Sequence, residues 1–372
     1  PNHDDPDPLE CPVNAIPIES EQRERLYVKL RRELGREVLE ALESPGTEDI
    51  LLNPDASLWV KSTGRAAQRI GVLGASQAAS AIGTLAALNG EVVNARQPVL
   101  ETELPIAEAR FEGLMPPLVA RPAFAIRCLP RIDRALEDYA REGIVTDRQG
   151  TLDALAADTD SPVALPRVER FRGALPAAPS QLALLREAIR HRLNILVVGA
   201  TGAGKTSLVN VLLSTVASDT PEDRVVIVED TAELRCAAPN VVKLHLCETV
   251  SIRRALRVCL RLKPQRLVVG EVRGAEALTL VKAWGTGHCG GLSTVHAESA
   301  LGGLLRLEAL ALEASRMRLA LVRPWIAAAV QLVVVIAEDR TVLAGRRVQE
   351  IALVHGLTPD GRGYALEPFT SR

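Results

Sequence analysis

At 372 residues, 47% hydrophobic and 24% charged, the chain has the composition of a folded globular protein with room for two sizeable cores, which excludes a disordered or fibrous one. Its 44 basic and 46 acidic residues leave a formal net charge of -2, so attraction to nucleic acid or to an acidic membrane surface has to be local rather than global. The six scattered cysteines include no C-x-x-C pair and point to a reducing, cytoplasmic setting without a disulfide framework.

From the amino end, "PNHDDPDPLE" is acidic and proline-rich and lacks the basic start and apolar core of a signal peptide. Residues 1–19 are expected to form a disordered arm. "EQRERLYVKLRRELGREVLEALE" then brings back Leu26, Leu30, Leu34, Val38 and Leu42 every four residues, the period of an amphipathic helix. Strands around the Asn-Pro-Asp turn of "EDILLNPDASLWVKS", an alanine-rich helix from about Ser76 to Asn89, and strands at "ARFEGLM" and "AFAIRCL" follow. They define an α+β N-terminal domain over residues 20–129. Residues 130–180 are expected to be a linker: the helical "RALEDYAREG" leads into "DTDSPVALPRVERFRGALPAAPS", which is rich in proline and has no hydrophobic period.

Over 181–372 the helix "QLALLREAIRHR" opens a second domain in which helical stretches alternate with "LNILVVGA", "RVVIVED", "VVKLHL", "RLVVGEV", "GLSTVHA" and "QLVVVIAED". Continuous Val, Ile and Leu runs are what strands buried on both faces require, so this half is predicted to be a mostly parallel α/β sheet flanked by helices. Its most apolar run, "WIAAAVQLVVVIA", is well short of the roughly 20 residues that span a bilayer. Any membrane association is therefore peripheral.

"LNILVVGATGAGKTSLVNVLL" is a strand, a G-x-x-x-x-G-K-T loop and a helix. Glycines at Gly199, Gly202 and Gly204 let the chain turn tightly, Ala200, Thr201 and Ala203 complete the loop, and backbone N–H groups at a helix N-terminus cradle phosphate. In this pattern Lys205 reaches the β- and γ-phosphates of ATP, Thr206 ligates Mg²⁺ and Ser207 continues the cradle. "RLVVGEVRG" ends an apolar strand at Glu271, where a carboxylate can orient the attacking water or hold water on Mg²⁺. "VVIVEDTAEL" offers Glu229 and Asp230 to the same site, whereas Glu233 is read as a capping or pairing residue. "GTGHCGGLSTVHA" resembles a metal cluster at first sight, but adjacent His288 and Cys289 diverge and no second ligand pair is near. His296, at a strand's carboxyl end, is instead placed to face the γ-phosphate.

The ordered series "GATGAGKTS", "EDTAEL", "GEVRG" and "TGHCGGLSTVHA" resembles the Walker A, aspartate, Walker B and histidine boxes of the secretion traffic ATPases, and most of all the conjugal-transfer ATPases of type IV secretion, the TrbB type. "LLNPDASLWV", "ARFEGLMPP", "AFAIR" and "GRRVQEI" extend the likeness over most of the chain. The resemblance implies a RecA-like P-loop domain behind a smaller α+β N-terminal domain, ATP and Mg²⁺ as ligands, and a homo-hexameric ring on the cytoplasmic face of the inner membrane, docked on components of a secretion or conjugation apparatus. By motif position it makes Glu229 and Asp230 the aspartate box, Glu271 the Walker B acid and His296 the sensor, with Arg110 and Arg127 as arginines that approach the terminal phosphate. Against that family, 150–179 resembles an insertion in the linker, and Cys289 replaces a charged or small residue. A pilus-assembly ATPase of the same superfamily is the near alternative, and a nucleotide-gated scaffold with little turnover is a different class. A RecA-like DNA helicase would need a basic, aromatic strand channel; with 3% aromatic residues, no stable nucleic-acid binding is expected.

Overall fold

The structure, a computed structural model, describes residues 20–44, 46–62, 65–107, 109–128, 134–152, 166–246, 250–313 and 317–371. The arm expected at 1–19 lies outside these residues. The chain divides into two compact units, Pro1–Pro130 and Arg131–Arg372.

In the first unit, α1 (Ser20–Glu43) is followed by β1 (Thr47–Leu52), β2 (Ser57–Ser62), β3 (Gln68–Val72), α2 (Ala75–Leu88), β4 (Val99–Leu104), β5 (Ala109–Leu114) and β6 (Ala123–Arg127). The strands form an antiparallel sheet in the order β3-β2-β1-β6-β5-β4. Leu30, Leu34, Val38 and Leu42, the four-residue stripe of the sequence, are buried in one core with Ile82 and Leu85 of α2 and Phe111 and Ile126 of the sheet. A buried carboxylate locks the helix pair: Glu33 accepts hydrogen bonds from Ser80 Oγ and, at 2.7 Å, from Thr84 Oγ1.

The second unit contains α3 (Leu136–Arg141), β7 (Gly150–Leu152), α4 (Pro166–Ala174), α5 (Gln181–Arg190), β8 (Ile195–Val198), α6 (Lys205–Asp219), β9 (Val225–Glu229), β10 (Val241–His245), α7 (Ile252–Arg261), β11 (Arg266–Val269), α8 (Glu276–Gly285), β12 (Leu292–Val295), α9 (Ala300–Glu313), α10 (Leu319–Ala329), β13 (Leu332–Glu338), β14 (Arg346–Leu357) and β15 (Tyr364–Ser371). Strand order is β10-β9-β11-β12-β8-β13-β14-β15-β7. The run from β10 to β13 is parallel, as the apolar strands require, and every strand of it has a fully buried or core-packed register. From β13 onward the pairing turns antiparallel, because the connections to β14 and β15 are hairpins too short for a crossover. Among the described residues no helix is long and apolar enough to cross a membrane.

The expected linker over 130–180 is corrected where it is described. Tyr139, Ile144, Val145 and Phe171 are buried in the same core as α5, α6 and β8, and β7 pairs with β15 to end the sheet. The prolines were misleading because they sit at helix boundaries rather than in a flexible spacer: Pro166 opens α4, and Pro179 precedes Ser180, whose Oγ caps α5 by accepting from Ala183 N at 3.2 Å. Residues 153–165 of the expected linker lie outside the described residues.

The amino-terminal edge of the parallel sheet is fastened by a buried ion pair. Arg266 and Asp223 are both 0% exposed, with Arg266 Nε 2.6 Å from Asp223 Oδ2 and Arg266 Nη2 donating to Ile189 O and Thr220 Oγ1. Burial alone would raise the Asp223 pKa, but the Arg192 and Arg266 guanidinium groups outweigh it and hold the carboxyl below its ordinary value. Asp223→Ala leaves Arg266 charged and uncompensated, so stability should fall by about 3–5 kcal/mol. A chemical-denaturation midpoint close to wild type would contradict this role.

Candidate active site

The opposite, carboxyl-terminal edge of the sheet gathers the chemistry. β8 runs straight into the loop 199–204 and then α6, so the loop's path is set by a strand buried on both faces. Gly199 passes so close to β13 that a Cβ there would stand 2.4 Å from Ile336 O. Gly202 and Gly204 have φ of 80° and 97°, which side chains oppose, while Ala203 is buried beneath them. Thr201 and Gly202 are exposed at the tip, and Lys205 and Thr206 begin the helix whose N-terminal N–H groups favour an anion.

Lys205 is buried, and its three ammonium protons have three acceptors: Gly199 O at 2.9 Å, Ala200 O at 3.0 Å and His296 Nδ1 at 3.0 Å. Because an ammonium only donates, Nδ1 accepts, and a neutral imidazole then carries its proton on Nε2. That atom lies 2.6 Å from Glu271 Oε1, a buried oxygen that has no directed hydrogen-bond partner. Burial lowers the Lys205 pKa, with Glu271 opposing the shift and Arg273 adding to it. His296 is half-exposed just past the carboxyl end of β12.

The acids divide by environment. Glu229, the last residue of β9, is 3% exposed; its Oε2 accepts from the N–H groups of Glu233 at 2.9 Å and Leu234 at 2.8 Å, while its buried Oε1 has no hydrogen-bond partner. Burial raises its pKa above the ordinary carboxylate value, with those N–H groups and His245 working against the shift. Asp230 is exposed and receives Arg273 Nη1 at 2.8 Å. Arg273 also reaches Glu271 Oε2 through Nε at 2.7 Å, so one guanidinium bridges the two acidic boxes. Its backbone is fixed by Glu276 Oε1, which accepts from Arg273 N and Gly274 N.

Sequence reasoning assigned no role to Arg273, although it lies inside the motif two residues after Glu271, and it placed Glu233 outside the site. The structure brings Glu233 Oε2 to 3.3 Å from Thr206 Oγ1, because the chain doubles back after Glu229 and Asn210 Nδ2 of α6 holds Glu233 O at 3.0 Å. Thr206 and Glu233 thus form an oxygen-only donor set beside the loop, the kind a hard cation that keeps much of its water accepts, and Mg²⁺ fits it.

His288 turns away from this cluster, with Nδ1 3.3 Å from Pro264 O, and Cys289 is half-buried near Arg192 and Arg266. Among the described residues no group of three or more His, Cys, Asp or Glu side chains is arranged to hold a metal. Arg110 and Arg127 belong to the first unit. They are cross-strand partners on β5 and β6, in a row that continues to Glu103 on one side and Asp49 on the other, and Arg127 Nε lies 3.2 Å from Asp49 Oδ1.

A protein of Sinorhizobium fredii named "Probable conjugal transfer protein TrbB" is 40% identical over 330 residues, which cover 89% of this chain and 90% of that one. The chain belongs to the TrbB family of conjugal-transfer proteins. The "Conjugal transfer protein TrbB" of Rhizobium radiobacter is 38% identical over 333 residues, 89% of this chain and 91% of its own. Residues 173–342 match the family described as "Type II/IV secretion system protein". Two solved structures share the fold: the ATPase DotB of Legionella pneumophila has a TM-score of 0.53 at 16% identity over 92% of this chain and 80% of its own, and the pilus retraction motor PilT with bound ADP has 0.52 at 18% over 90% and 81%. The α/β P-loop architecture read from the sequence of this TrbB-family chain is therefore that of the secretion ATPases.

The raised Glu229 carboxyl has a measurable consequence. A folded-state pKa above the unfolded one means that its contribution to stability is present below the unfolded value and is lost as pH rises through the folded value. Glu229→Gln keeps an acceptor for the Glu233 and Leu234 N–H groups and removes the titration. Its thermal midpoint should therefore gain on wild type as pH rises above the ordinary Glu value of about 4, whereas parallel curves would contradict the assignment.

Proposed function

We propose that this TrbB-family chain hydrolyses ATP with Mg²⁺ to power conjugal transfer or type IV secretion. The observation that carries the proposal is the contact series Lys205–His296–Glu271 beside the loop 199–204, which supports reading them as phosphate-binding cation, sensor and base on one sheet edge. Lys205 would exchange its carbonyl and imidazole acceptors for the β- and γ-phosphates, releasing His296 toward the terminal phosphate. Glu271 would accept a proton from the attacking water as the new oxygen–phosphorus bond forms and the bond to the ADP oxygen breaks. Arg273 would hold Glu271 and Asp230 in place, and the buried Glu229 would order the turn that presents Glu233 to Thr206. When bound there, Mg²⁺ would neutralise charge between the β- and γ-phosphates.

Arg110 and Arg127 are proposed to supply positive charge to the terminal phosphate across a homo-hexameric ring. Their direct cross-strand pairing supports this reading, because it sets two guanidinium groups side by side on one sheet face, where a single polyanion can meet both. The ring would work at the cytoplasmic face of the inner membrane, peripherally attached to components of the transfer apparatus, a placement supported by the conjugal-transfer names of the relatives.

The test is ATP turnover as a function of protein concentration for wild type and Glu271→Gln. Turnover per subunit should rise with concentration as the ring assembles, and Glu271→Gln should lose roughly 10²- to 10⁴-fold. A variant with full activity would remove Glu271 from the chemistry and favour a scaffold that turns nucleotide over by another route. Arg110→Ala and Arg127→Ala should each lower kcat with nucleotide affinity retained; equal losses of both quantities would contradict their proposed action on the terminal phosphate.

A further inference from the structure

We propose that Arg346, the first residue of β14, is a nucleotide-contacting residue that holds the α-phosphate end of bound ATP or ADP. This rests on the reading of the P-loop as an ATP site. A Cβ built on Gly204 would stand 2.5 Å from Arg346 Nη1, 2.8 Å from its Cδ and 3.3 Å from its Cζ, so the arginine side chain runs across the first turn of α6. A side chain at 204 would displace it and would also strain a backbone at φ 97°.

Sheet register explains how a residue more than a hundred positions away arrives there. β13 lies beside β8 with Val335 opposite Val198, and β14 returns antiparallel with Arg346 opposite Glu338. On β14 Arg346 shares a face with Val348, which is buried in the core with Leu208 and Leu212 of α6. Arg347 points the other way and pairs with Asp339 at 3.4 Å. The same turn of α6 holds Ser207, whose hydroxyl lies near that of Tyr139. Burial pushes the Tyr139 hydroxyl up to about 12, against the pull of the Arg346 and Arg134 charges. Arg346, Ser207 and Tyr139 thus form one cluster.

Strand order gives the cluster its role. His296, Glu271 and Glu229 come from β12, β11 and β9, all on one side of β8, whereas Arg346 comes from the other side through β13 and β14. If the terminal phosphate faces the acids and His296, the opposite end of the nucleotide faces Arg346. There a planar guanidinium can make charge-assisted hydrogen bonds to an α-phosphate oxygen. ATP and ADP share that phosphate, so the contact contributes equally to both and spares the chemical step.

The experiment measures affinity for the fluorescent N-methylanthraniloyl-ADP, competition by ATP, and steady-state hydrolysis on the full chain. Arg346→Ala should weaken ADP and ATP alike by roughly ten- to hundredfold and raise KM by the same factor, with kcat kept within about twofold. Arg346→Gln, which keeps the stem packed on Gly204, should lose affinity in the same way and carries the test if the alanine variant does not fold. Arg347→Ala should bind as wild type. Unchanged ADP affinity, a loss confined to ATP, or a fall in kcat at constant KM would each overturn the proposal. Lys205→Ala separates the two levels: if it abolishes ADP binding while Arg346→Ala does not, only Arg346 loses its role, and if it binds as wild type, the site reading falls with it.

Discussion

The buried ammonium of Lys205 is the interaction on which the rest of the site depends. A charge removed from water must be matched by acceptors, and here two come from the loop itself and the third from a histidine on a neighbouring strand. That requirement fixes the loop to the edge of β8 and ties it to β12. Through His296 it reaches Glu271, and through Glu271 and Arg273 it reaches Asp230. On the proposed function, replacing the Lys205 acceptors by phosphate oxygens would be felt along the whole series, so one loop would report its ligand to three strands.

The two edges of the parallel sheet do different work. At the amino edge the Arg266–Asp223 pair and Asn194, whose Oδ1 accepts from Gly291 N at 2.9 Å and whose Nδ2 donates to Ala329 O at 2.7 Å, leave no directional freedom among β8, β11 and β12. At the carboxyl edge buried oxygens of Glu229 and Glu271 remain without directed partners. Fully satisfied polar groups make a rigid base; incompletely satisfied ones on top of it retain the capacity to bind.

Much of this was legible in the sequence, and for a local reason. The phosphate loop, the buried β-strands and the acids at their ends are contiguous patterns, so Lys205, Thr206, Glu229, Asp230, Glu271 and His296 could be named and fall on one edge. What was not legible depends on chain reversal or distant register. Glu233 returns to Thr206 only because the turn after Glu229 is folded back by Asn210, and Arg273 acquires its bridging role from the loop shape that Glu276 imposes. In the antiparallel strands β14 and β15 shorter or polar-flanked apolar runs weaken the strand signal, and Pro166 and Pro179 mark helix starts that composition alone cannot tell from a spacer. Arg110 and Arg127 rest on family resemblance alone; in its own strand each looks like an ordinary surface cation beside a carboxylate position.

Single-turnover cleavage of ATP by wild type and Lys205→Ala tests the central claim most directly. The account requires wild type to release phosphate in a Mg²⁺-dependent burst and the variant, with its loop carbonyls and His296 left without their donor, to be slower by at least about a hundredfold. Cleavage by Lys205→Ala at the wild-type rate would contradict it.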